Sequence, residues 1–275
     1  MMRDSNDAEA LIQVRTYGTR GPTVVVLHGG PGAAGYIAPV CRELSDSFRV
    51  LEPLQRMSEG EPLSVRRHVT DLHDVISLHC EAARPALVGH SWGAMLALAY
   101  AAAHPDRAGA LVLVACGTFD ESSRREYLSA VECRLDPRLR SRLREVSRTI
   151  ADADVRMCVT GRLLEPVYSY DLLPHPDETE FYDARGHEET WKDMMHLQRT
   201  GVYPAAFGHI TAPSVMLHGV DDSHPGESIW RCLRSVMPQL EYCELPHCGH
   251  YPWYERHACE EFYDLLRQWL AIHAT

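Results

Sequence analysis

Lysine is nearly missing from this chain: Lys192 is the only one, and arginine supplies the rest of the 27 basic residues. Against 38 acidic residues this leaves a net charge of −11, with no basic run that could track phosphates, so nucleic acid is not an expected partner. Paired cysteines are missing too. The nine cysteines are scattered singly, an odd number with no C-x-x-C, which excludes a zinc ribbon and reads as reduced, mostly buried thiols. No apolar run approaches transmembrane length, and the polar start from Met1 to Asp7 has no apolar core of a signal peptide. The expectation is a soluble, cytoplasmic protein without a membrane partner. There is no H-E-x-x-H helix, no Walker A loop and no G-x-G-x-x-G behind a strand, so neither a metal nor a nucleotide cofactor is expected. His247-x-x-His250, with Asp222 and His224 upstream, invites a metal reading, but it lacks paired cysteine ligands.

What the chain does have is alternation. Its 275 residues, 45% hydrophobic and 24% charged, suffice for one large domain with an inserted subdomain. Strands are expected at Leu11 to Tyr17, Thr23 to Leu27, Phe48 to Leu51, Ala86 to Val88, Leu111 to Ala115, Ser214 to Leu217 and Leu240 to Leu245. Amphipathic stretches fall between them. Val65, Val69, Leu72, Val75 and Ile76 recur at helical spacing behind a capping Ser64, and Ala258, Phe262, Leu265, Leu266 and Trp269 form a last apolar stripe. The pattern predicts an α/β fold, a mostly parallel sheet with helices on both faces. Residues 119–205 break it, with polar helical stretches, scattered prolines and no convincing strand. The expected organisation is a core of residues 1–118 and 206–275, with residues 119–205 inserted as a helical lid over the carboxyl edge of the sheet.

The most informative stretch is Gly89-His90-Ser91-Trp92-Gly93, between the apolar run Ala86-Leu87-Val88 and the alanine-rich run from Ala94. Strand, sharp turn and helix with serine at the apex is the context in which G-x-S-x-G presents a nucleophile. A serine hydroxyl is a weak nucleophile near neutral pH, so it needs a histidine to take its proton and a carboxylate to orient that histidine. Candidates follow in that chain order: Asp221 and Asp222 in the loop after Ser214 to Leu217, then His247 and His250 after Leu240 to Leu245. Chemistry alone does not separate the two aspartates, and His247 reads better as a solvated loop residue. The tetrahedral intermediate also needs preorganised N–H donors, and His28-Gly29-Gly30-Pro31-Gly32, directly after Thr23 to Leu27, suits an oxyanion loop with Gly30 and Trp92 as donors.

Elbow, glycine loop, aspartate loop and terminal histidine together resemble the α/β-hydrolase superfamily over essentially the whole chain, and H-G-G-P-G resembles its proline iminopeptidase-like branch. The resemblance implies Ser91 as nucleophile, Asp222 as acid, His250 as base, and the backbone N–H groups of Gly30 and Trp92 as the oxyanion hole. It also implies a small ester or amide as substrate, no cofactor and no metal. Two features depart from that branch. Its D-Q-R-G-x-G-x-S loop is here Leu54-Gln55-Arg56-Met57-Ser58-Glu59-Gly60, and its W-x-x-W-E lid motif is not reproduced at Trp191-Lys192-Asp193. Glu178, Glu180, Glu188, Glu189 and Asp193 are the lid carboxylates available for a substrate amine, and Trp92, Tyr168, Tyr170, Trp191 and Trp253 the aromatics for an apolar pocket. Esterase, lactonase and C–C bond hydrolase use the same triad, and a ligand-binding member of the fold with little turnover is the reading from a different class.

Overall fold

The computed structural model describes residues 12–80 and 84–274; the N-terminal stretch, including Leu11 of the first expected strand, lies outside the described residues. The strands are β1 (Val14–Tyr17), β2 (Thr23–Leu27), β3 (Ala33–Ala34), β4 (Arg49–Pro53), β5 (Ala86–His90), β6 (Leu111–Val114), β7 (Phe181–Tyr182), β8 (Ser214–Gly219) and β9 (Leu240–Leu245). Seven of them form one sheet in the order β1-β4-β2-β5-β6-β8-β9. Only β1 runs antiparallel to its neighbour; every other pair in this sheet is parallel.

The continuous apolar strands are buried on both faces, and their alternate side chains feed two cores. Val25, Leu27, Leu87 and Leu113 pack with helices α2 and α3, while Val24, Val26, Val88 and Val112 pack with α1 and α9. The helices are α1 (Ala38–Leu44), α2 (Val65–Cys80), α3 (Trp92–Ala103), α4 (Glu121–Arg134), α5 (Pro137–Thr149), α6 (Ala153–Tyr168), α7 (Ala184–Arg199), α8 (Gly226–Arg234) and α9 (Cys259–His273). The α2 stripe is buried throughout, and the Ser64 hydroxyl accepts from Arg67 N–H at 3.2 Å as a cap should.

From β2 the chain moves outward to β4 and then returns to the other side of β2 as β5, so the strand order reverses at the carboxyl ends of β2 and β5. Open α/β sheets place their crevices at such a point. The glycine loop leaves β2 there, and the serine turn leaves β5 beside it.

Between β6 and β8 lie α4 to α7. Their sequences are polar, yet each begins with an aspartate, Asp120, Asp136, Asp152 or Asp183, whose carboxylate accepts backbone N–H bonds of the first turn. The segment also holds a strand that its pattern did not announce. Phe181–Tyr182 pairs antiparallel with Ala33–Ala34, so β7 is tied to the glycine loop. Two residues are too short to show a period, and the pairing spans most of the chain.

Candidate active site

Ser91 joins β5 to α3 with φ 54° and ψ −116°, a conformation that costs of order 1–3 kcal/mol and persists only where the surroundings enforce it. Enforcement comes from both sides. Ser91 N–H bonds Val114 O at 2.9 Å, and α3 begins on the Ser91 carbonyl. A methyl group at Gly89 would lie 2.3 Å from Gly93 O, and one at Gly93 would lie 2.1 Å from Leu27 O. Helix α3 therefore sits directly on β2, which is why the motif needs both glycines. Gly93→Ala should lower unfolding stability by about 3 kcal/mol or more, read by denaturant titration, because backbone rather than a yielding side chain must move; a stability within about 1 kcal/mol of the parent would refute this close-approach account.

The other two loops converge on the turn. Asp222 is buried, and its Oδ2 accepts from His250 Nδ1 at 2.6 Å. Its Oδ1 accepts from the His224 backbone N–H at 2.9 Å and lies 3.0 Å from His224 Nδ1, so one carboxylate holds two imidazoles. Burial pushes the Asp222 carboxyl up, but the attraction and hydrogen bonds of His250 and His224 outweigh it and hold it well below the usual range. Asp221 contributes backbone only: its N–H bonds Cys248 O and its carbonyl accepts from Arg134. His247 is exposed, its ring near Tyr170 and His257. The structure thus brings Asp222 and His250 together, and Ser91 and His250 line one cavity.

Gly30, with φ 40°, and Trp92, the first residue of α3, line the same cavity, so the positive end of a helix dipole faces it. The loops are wired together by residues that the motif leaves unspecified. Gly29 N–H donates to Tyr36 OH at 2.7 Å; that hydroxyl lies 2.6 Å from His90 Nδ1, and His90 Nε2 lies 2.8 Å from the His250 carbonyl. A carbonyl can only accept, so Nε2 carries the proton and Tyr36 donates to Nδ1. Burial keeps the His90 imidazole neutral, well below its ordinary value, as that chain of bonds requires. Gln55 makes a second tie: its Nε2 donates to His28 O at 2.9 Å and its Oε1 accepts Trp92 Nε1 at 2.7 Å. This is why Gln55 belongs in its divergent loop. Arg56, beside it, forms a two-pronged pair with Asp71.

The cavity measures about 1380 Å³ and is roofed by α4, α6 and α7. Trp92, Tyr168 and Trp191 line it, as expected of them. Trp253 and Tyr170 do not. Trp253 is 3% exposed, stacked on Tyr36 in the core beneath the site, and Tyr170 is 48% exposed on the surface. The carboxylates of residues 119–205 expected to meet a substrate amine are mostly engaged: Glu178 with Arg42, Glu180 with Arg15, Glu189 with Ser58, Leu63 N–H and Arg185, and Asp193 with the first N–H of α2. Glu188 is exposed.

Asp222, His224 and His250 are also the one group among the described residues whose ligand atoms lie close enough to hold a metal, all within 4.8 Å. Tetrahedral zinc keeps ligand atoms about 3.3 Å apart, given bonds near 2.0 Å. The 2.6 Å contact between Asp222 and His250 is too short for both to bind one ion, so a metal would have to break that bond.

Two further imidazoles give the fold an acid weakness. Burial pushes His28 and His68 down to about 4, from an ordinary value of 6.5. Each folded-state value is depressed, so this stability is fully present above about pH 6.5 and is lost as pH falls toward 4, roughly 3 kcal/mol per imidazole. Guanidinium unfolding at pH 7 and pH 4.5 should show the fall, and His68→Gln, which keeps a hydrogen-bonding partner for Thr190, should make it shallower. Equal stability at the two pH values would contradict the neutral burial of both rings.

Residues 24–265 match the model of the Alpha/beta hydrolase family. Among curated proteins, the chain is 26% identical over 253 residues to a pimeloyl-[acyl-carrier protein] methyl ester esterase of Chromobacterium violaceum, covering 87% of this chain and 91% of the relative. It is 25% identical over 275 residues to a 2-hydroxy-6-oxononadienedioate/2-hydroxy-6-oxononatrienedioate hydrolase of Cupriavidus pinatubonensis, covering 90% and 87%. Among solved structures, a thermophilic esterase from Thermogutta terrifontis shares the fold with a TM-score of 0.60 and 22% identity, covering 96% of this chain and 94% of that one. No described helix is long and apolar enough to cross a membrane. With the family model spanning nearly the whole sheet and its loops, the chain belongs to the alpha/beta hydrolase family and is a hydrolase of that fold.

Proposed function

We propose that this hydrolase is a serine esterase of small carbonyl substrates. The observation that carries the reading is the 2.6 Å bond from His250 to the buried, ionised Asp222, on the cavity into which the strained Ser91 turn opens. His250, held by Asp222 at Nδ1, takes the Ser91 proton at Nε2 as Oγ attacks the carbonyl. The backbone N–H groups of Gly30 and Trp92 receive the developing oxyanion. His250 then protonates the leaving group, and water, activated by the same imidazole, releases the acyl group. Residues 119–205 act as the lid that selects the substrate, and the substrate is a small molecule handled without a cofactor.

C–C bond hydrolysis is the second reading, supported by the curated relative named for that activity. The iminopeptidase reading rests on the H-G-G-P-G loop alone, and the lid acids that would receive an ammonium group already hold arginines or backbone N–H groups or, as Glu188 does, lie exposed. A panel of short acyl p-nitrophenyl esters, a vinylogous 1,5-diketone and prolyl-arylamide separates the three. Ester turnover with an inert prolyl-arylamide is expected; the diketone cleaved far faster than any ester would move the assignment to carbon–carbon hydrolysis.

A further inference from the structure

The cavity's charges are matched unevenly. Each of its acidic side chains faces a basic one: Asp177 pairs with Arg162, Glu178 with Arg42, and Glu165 lies 4.0 Å from His175. Two cavity arginines have no carboxylate within salt-bridge distance among the described residues: Arg156 of α6, whose guanidinium bonds the Ile150 and Ala151 carbonyls, and Arg124, one turn into α4. The Arg124 guanidinium contacts only neutral atoms, Met195 Sδ and Gln198 Oε1, and stands 6.0 Å from the centre of the Trp191 ring.

Nor is the side chain loose. The Gln198 amide is locked by its own Nε2, which donates to Thr118 O at 3.0 Å, so its oxygen is aimed at Arg124. Trp191 covers the group from α7. Two of the five guanidinium N–H groups are thereby used, and three remain. A partly desolvated cation held rigid by neutral partners is unfavourable unless an anion completes it, and a planar guanidinium fits a carboxylate with two parallel bonds. Burial pulls the Arg124 value down, and the attraction of Asp120 offsets this only in part. The group is also connected to the reaction centre: Met95, one helical turn beyond Ser91, sits against Gly117, and Gly117, Thr118 and Arg124 are consecutive parts of one cavity wall.

We propose that Arg124 is the specificity residue of this cavity and binds a carboxylate carried by the substrate, remote from the carbonyl under attack. The natural substrate is then a half-ester or related mono-acyl derivative of a dicarboxylic acid. This rests on the serine hydrolase reading for its reaction, but not for its binding.

The test compares mono-p-nitrophenyl adipate with p-nitrophenyl hexanoate, equal in chain length and differing by the terminal carboxylate. Arg124→Met should lower the adipate-to-hexanoate ratio of kcat/KM by about 10- to 100-fold, mainly through KM, as expected for a lost charged hydrogen bond. Arg124→Lys should restore part of the ratio, and thermal unfolding checks that each variant folds. A ratio that stays within about twofold of the parent in Arg124→Met, or a parent that prefers hexanoate, overturns the proposal. Calorimetric titration of adipate into Ser91→Ala, with and without Arg124→Met, reads the site without turnover. If neither ester is cleaved, the hydrolase reading fails, yet adipate binding that depends on Arg124 still upholds the anion site. Adipate binding that is absent, or indifferent to Arg124→Met, overturns it.

Discussion

Ser91→Ala is expected to lower ester turnover by about 10⁴- to 10⁶-fold, the loss typical when a member of a catalytic triad is removed. The hydroxyl is the one group at the apex of the turn able to form the acyl bond. The residue left behind keeps both flanking glycines and the bond from its N–H to Val114. Thermal unfolding should therefore stay close to the parent while kcat collapses. A fluorophosphonate probe gives the same answer independently, labelling the Ser91 peptide of the parent and nothing in the variant. Turnover within tenfold of the parent, or a label on a different serine, would remove Ser91 from the mechanism.

Asp222→Asn is expected to cost about 10⁴-fold in kcat, because an amide in place of the carboxylate favours the wrong imidazole tautomer and cannot stabilise the imidazolium. Two rings depend on that carboxylate. The amide keeps a single acceptor oxygen, so either His250, bonded at 2.6 Å, or His224, at 3.0 Å, meets an NH₂ group in its place. Asp221→Asn should stay near the parent rate, since the Asp221 contacts run through its main chain. Measuring both variants against one ester ranks the two aspartates, and a larger fall at Asp221 would reverse the assignment.

The sheet was legible because buried parallel strands announce themselves as apolar runs, and most misjudged ends were off by a residue or two, as at Phe48, which precedes β4; the largest miss is at the first strand, where β1 begins only at Val14. The serine turn was legible for a different reason: a strained backbone needs glycines at fixed offsets, so its geometry is written locally. The aspartate was harder. Asp221 and Asp222 are chemically identical neighbours, and only the packing of their loop against Cys248 and His250 tells which carboxylate turns inward. The wiring behind the site was not legible at all. His90 occupies an unconstrained position of the motif, and its partners lie 54 and 160 residues away. Nor does sequence separate an aromatic ring in a pocket wall from one beneath it, which is why Trp253 was misplaced. Arg124 shows the same limit for charge, since one more arginine among 27 basic residues stands out only when the fold shows which arginines are in contact with a carboxylate.

The short ribbon of β3 and β7 has a mechanical consequence. Gly32 O and Ala34 O accept the N–H groups of Asp183 and Glu180, and Pro31 O lies 2.9 Å from His187 Nδ1. The loop carrying Gly30 and the first turn of α7 are therefore tied to each other by main-chain and side-chain bonds. Along the same helix stands Trp191, against the guanidinium of Arg124. On the proposed mechanism, a ligand that levers α7 by even a fraction of an ångström would pull on the backbone proposed to cradle the oxyanion, so the rod beside the proposed anion site is bolted to the part that would judge the carbonyl.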